Sequence, residues 1–86
     1  MNYKEGLHLI PEHMHQGVED WVEHGVMTGS FQTAVMENKL CQAFAQADYQ
    51  NTAAMRDWAY FLWEYLPGDC WGSAAKVKEW RERHGR

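Results

Sequence analysis

Between Ala54 and Leu66 the chain sets Ala54, Met55, Trp58, Ala59, Phe61, Leu62, Trp63, Tyr65 and Leu66 in helical register. At 100° per residue they cover about 200° of the circumference. Arg56, Asp57, Tyr60 and Glu64 are left as a narrow polar sector. A helix this apolar needs cover on nearly all sides. It is therefore expected at the centre of a bundle, or shared with a second copy in a closed C2 dimer. With 86 residues there is room for one core only.

The rest of the chain reads as shorter helices around that one. Residues 1–10 read as a loosely docked segment offering Leu7, Leu9 and Ile10. Pro11 suits the first position of a helix, where its missing N–H is no loss. Met14, Val18, Trp21 and Val22 then form one stripe, and Gly25 is a left-handed stop. Gly17, at the edge of that stripe, is expected to admit another backbone closely. A second helix begins at Ser30 and buries Phe31, Ala34 and Val35. Its phase breaks before Leu40, so a kink or two abutting helices is expected, with Asn38 as a new cap and Leu40, Cys41, Phe44 and Ala47 facing inward. Asp48 or Asn51 opens the long aromatic helix, Pro67-Gly68 closes it, and a last helix from Ser73 buries Ala74, Val77 and Trp80. The fold class is all-α: a compact bundle of four to five helices with a kinked second helix, covering residues 1–86. Its core is expected from Met14, Trp21, Phe31, Leu40, Phe44, Trp58 and Leu62.

Charge narrows the partners. Twelve acidic against eight basic residues give a formal charge of −4. Duplex nucleic acid asks for a basic stripe, and anionic membranes for a basic face; neither is expected here. The basic residues Lys76, Lys78, Arg81, Arg83 and Arg86 are interleaved with Glu79 and Glu82 and read as a solvated helix end. No apolar run approaches the ~20 residues that span a bilayer. The start of the chain carries no apolar leader pattern, and two cysteines do not make a disulfide scaffold. A reduced cytoplasmic setting is the expectation.

Two Gly-Ser pairs stand at expected helix starts, each beside a large aromatic: Gly29-Ser30-Phe31 and Trp71-Gly72-Ser73. Helix starts leave backbone N–H groups unpartnered, serine caps them, and glycine lets a phosphate come close. Brought side by side, these six residues would bind a small phosphate-bearing ligand, with Phe31 or Trp71 as a stacking wall. Taken singly, the same serines are ordinary caps. Neither turn has the lysine of a P-loop or the strand of a dinucleotide fingerprint.

Other chemistry is thinner. His8, His13, His15 and His24 lie among Glu12, Glu19, Asp20 and Glu23, but no more than two ligands converge locally, so a solvated helix face is expected and no metal site. Cys70 precedes a helix start, with Asp69 opposing any activation of its thiol. No two tuned groups suggest general acid–base catalysis, so no enzyme and no cofactor is expected.

The residues Ile10-Pro11-Glu12-His13-Met14, Glu23-His24-Gly25-Val26, Gly29-Ser30-Phe31, Ala34-Val35, Asn38, Leu40, Ala43-Phe44, Ala47-Asp48, Asn51, Phe61-Leu62, Pro67 and Cys70-Trp71-Gly72-Ser73 form a pattern over residues 10–80. It resembles a family of small bacteriophage and prophage proteins. That resemblance implies an accessory role in the bacterial cytoplasm and transfers no catalytic residue. Small phage proteins of this kind often counter host defences by binding. Two functions follow as expectations. One is sequestration of a nucleotide-like ligand at the paired helix starts. The other is inhibition of a host or defence protein, or homo-oligomer formation, through Tyr3, Tyr60, Trp63 or Trp80.

Overall fold

The computed structural model describes residues 2–84; Met1, Gly85 and Arg86, the last of the basic cluster, lie outside them. Helices account for all the regular structure among these residues: α1 His15–His24, α2 Ser30–Met36, α3 Leu40–Gln46, α4 Tyr49–Ala53, α5 Met55–Tyr65 and α6 Ala74–His84, preceded by 3-10 segments at Tyr3–Leu9 and Glu12–Met14. The class matches the sequence reading. The helix count is higher: the second rod takes the form of two abutting helices, the long aromatic rod is itself divided, and 3-10 segments precede α1.

Local chemistry explains the divisions. The second rod ends at Met36, where Asn38 takes a left-handed φ of 63°. The Lys39 N–H then closes back on the Ala34 carbonyl at 2.9 Å. Asn38 thus terminates α2, a role asparagine tolerates, and does not cap α3. The long aromatic rod bends at Ala54, whose N–H bonds the carbonyls of both Gln50 and Asn51. Asp48 caps its start by accepting from the Asn51 N–H at 2.7 Å. Gly25 ends α1 at φ 67°, with its N–H on the Trp21 carbonyl and the Val26 N–H on that of Asp20.

The core is aromatic. Trp21, Trp58 and Phe61 are among its fully buried side chains. Phe31 and Phe61 meet Trp58 edge-on at centroid distances of 5.6 and 6.1 Å, a geometry favoured by the ring quadrupole. Three indole N–H groups are spent inside the fold. Trp21 donates to the Cys70 carbonyl, Trp80 to the Trp21 carbonyl and Trp58 to the Asn51 side chain, each at 2.9 Å. These bonds tie α1 to the connector before α6, α6 to α1, and α4 to α5.

Four expectations about packing are corrected. The segment expected to dock loosely is a 3-10 helix seated on α5, with Tyr3, Leu7 and Ile10 buried. Gly6 makes this possible, since a Cβ there would stand 2.5 Å from the Tyr65 ring. Leu40 and Phe44, expected in the core, are 65% and 46% exposed, and Cys41 is exposed as well. Periodicity identified a face of α3, but only Ala43 of that helix is buried. Ala74, too, is exposed, while Val77 and Trp80 of α6 are buried as expected. Finally, Gly17 admits the side chain of Gln32 and not a backbone.

Candidate functional site

The two Gly-Ser starts are not brought together. Gly29 and Ser30 stand at the N-terminal end of α2. The Gly72 N–H donates to the Met36 carbonyl at 2.8 Å, at the other end of the same helix. Seven residues of α-helix put about 10 Å between those ends. Each start is also internally engaged. Ser30 Oγ donates to Gln46 Oε1 at 2.9 Å, and Ser73 Oγ accepts from the Lys76 N–H at 3.2 Å. Phe31 is 7% exposed and packs on Trp58, which removes it as a free stacking wall. Trp71 is half-buried and faces a separate hollow with Trp63, Gly72 and Lys76. Lys76 Nζ there donates to the Gly68 carbonyl at 3.3 Å.

What the sequence pattern concealed is the surface between α3 and α5. Leu40 and Ala43 of α3 face Met55, Ala59 and Leu62 of α5 across a groove of about 90 Å³, floored by Ala34, Val35 and Trp58. Met55, Ala59 and Trp63 recur every fourth residue, so they form one ridge along the flank of α5. Leu40 and Phe44 form the matching ridge on α3 by the same spacing. Of these, Leu40, Phe44, Ala59 and Trp63 are exposed, Trp63 by 77%. Tyr60, 54% exposed, adjoins the outer edge of the α5 ridge. Lys39 pairs with Glu37 at 3.1 Å beside the groove's mouth, leaving its floor without charge. Of the four anchors expected from sequence, Trp63 and Tyr60 are exposed, whereas Tyr3 and Trp80 are buried.

Several of the polar residues singled out in the sequence have structural partners. His13 Nε2 meets Asp48 Oδ2 at 2.9 Å, and His15 Nε2 meets the Ile10 carbonyl at 3.1 Å. Tyr3 Oη donates to Glu23, which also pairs with Lys4 at 3.4 Å. Cys70 is fully buried, and burial, with Asp69 nearby, pushes its thiol up to about 12. A thiol in that state is protonated at neutral pH and supplies no nucleophile. No helix of the described residues is long and apolar enough to cross a membrane.

Comparison with known proteins adds no relative: no protein-family model matches the chain, and neither the curated proteins nor the solved structures yield a match.

Proposed function

We propose that this protein is a non-enzymatic binding module that takes an apolar helical segment of a partner protein into the groove between α3 and α5. One observation carries the reading: two apolar ridges, Leu40–Phe44 and Met55–Ala59–Trp63, run alongside a shallow apolar floor and leave Leu40, Phe44, Ala59 and Trp63 exposed. Parallel ridges with four-residue spacing are what an amphipathic helix packs against, with its own i, i+3, i+4 and i+7 residues entering the groove. Exposed Trp and Tyr at such a surface supply the anchors that dominate association energies. On the resemblance to phage proteins, the partner would belong to the infected bacterium.

The phosphate-binding reading loses support from the same geometry. Its two halves stand at opposite ends of α2, the Gly72 amide is used on Met36, and the hollow beside Gly29 holds the Asp48 carboxylate with no lysine or arginine.

Selection of helical peptides from a displayed library against the wild-type chain and the Leu40→Asp/Trp63→Ser variant tests the proposal. Binders with an apolar stripe that are lost with the variant support it. Binders indifferent to the variant, or a native-mass dimer that the variant dissolves, would replace a partner helix with another surface or with a second copy.

A further inference from the structure

On the face of the molecule where α1, α2 and α4 begin or pass close together lies a hollow of about 350 Å³ lined by His13, Gly17, Thr28, Gln32 and Asp48, with Met14 and Phe31 as its apolar side. It is separate from the α3–α5 groove, and its volume falls at the small end of the ~300–1,000 Å³ range of small-molecule sites.

Gln32 makes this more than a surface dent. The residue is 1% exposed. Its Nε2 donates to the Gly17 carbonyl at 2.9 Å, and no hydrogen bond among the described residues uses its Oε1. Every fully buried side-chain nitrogen or oxygen among those residues has a partner. The sliver of Gln32 that solvent reaches therefore includes Oε1, and the hollow it lines is where that oxygen emerges. Gly17 leaves the room in which that oxygen sits, because a Cβ there would lie 2.6 Å from it. An amide oxygen at the solvent edge of an otherwise buried side chain, without a protein partner, is an acceptor held at a fixed position.

The second acceptor is Asp48. Its Oδ1 takes the Asn51 N–H at 2.7 Å and its Oδ2 meets His13 at 2.9 Å, which fixes the carboxylate while each oxygen keeps a lone pair. The Asn51 amide bond, with the His13 contact next, holds the Asp48 carboxyl below its usual range. The wall thus carries a neutral acceptor and an anionic one, and no lysine or arginine lines it. Such a set selects against anions and for a ligand that brings N–H donors and positive charge.

We propose that this hollow binds a small organic cation with N–H donors, a primary alkylammonium, whose head bonds Gln32 Oε1 and the Asp48 carboxylate while its short stem rests on Met14 and Phe31.

NMR titration of the full chain with n-butylammonium chloride tests this, with tetramethylammonium chloride at equal ionic strength as the cation lacking N–H. The expected result is a saturable shift of the Gln32 side-chain amide and the Gly17 backbone amide with butylammonium alone. Asp48→Asn, which keeps an oxygen for the Asn51 N–H, weakens binding about tenfold, the change expected on losing a charge-assisted hydrogen bond. Thr28→Leu, at an exposed position, fills the hollow and abolishes the shift without touching the fold. No saturation, an equal response to tetramethylammonium, or unchanged binding in folded Thr28→Leu overturns the proposal.

Discussion

The indole N–H of Trp58 donates to the side-chain oxygen of Asn51 at 2.9 Å, and both residues are all but inaccessible to solvent. The bond spans the bend between α4 and α5, so one side chain sets the angle of the central aromatic helix and satisfies the polar atom of its largest core ring. Asn51→Leu keeps the volume but strands the indole N–H. The expected loss is about 2 kcal/mol, the cost of a buried donor left without a partner. Urea unfolding followed by Trp fluorescence measures it; an unchanged midpoint contradicts the assignment.

Gly6 is the close contact that seats the 3-10 segment on α5. In Gly6→Ala the new methyl meets the Tyr65 ring and the segment is pushed off, at about 1–3 kcal/mol for overpacking. Hydrogen exchange should show amides of residues 3–10 losing protection well before those of α5.

The two thiols separate cleanly by environment. Cys41 is exposed, whereas Cys70 is buried with a thiol pushed up to about 12. A thiol-reactive chromogenic disulfide at pH 8 is expected to modify Cys41 at once and Cys70 only after denaturation. Prompt modification of both in the native protein would show that the Trp21–Cys70 region opens freely.

Acid should unfold the protein partly through two carboxylates. The Tyr3 hydrogen bond lowers Glu23, and the Asn51 amide bond lowers Asp48. A depressed carboxylate contributes stability that is complete above its unfolded value and disappears as pH falls through its folded one. Stability is therefore expected to drop below the ordinary carboxylate range, near pH 4. The drop should be shallower in Tyr3→Phe and in Asp48→Asn. Thermal melts between pH 2 and about 6 read this directly, and a wild-type slope retained in both variants would contradict it.

Much of the local architecture is legible in the sequence because the signals are themselves local. The stop at Gly25, the cap at Asp48 and the start after Ser73 each depend on residues within one turn. Leu40 and Phe44 show where that legibility ends. Four-residue spacing tells which residues share a face, while only tertiary packing decides whether the face is covered. Gln32 and Asn51 were invisible for the opposite reason: they are polar residues whose burial rests on partners 15 and 7 positions away. The paired Gly-Ser starts can be read either as one site or as two separate caps, because sequence reports no separation across α2. The α3–α5 groove emerged only once two ridges from different helices stood side by side.

Hydrogen exchange on the protein alone and with a selected helical peptide bears most directly on the binding groove. Slowed exchange confined to α3 and α5, and absent in the Leu40→Asp/Trp63→Ser variant, is the result expected from the ridges they present. Those exposed substitutions should themselves move stability by no more than about 0.5 kcal/mol. Protection elsewhere on the molecule, or protection that survives in the variant, would contradict the account.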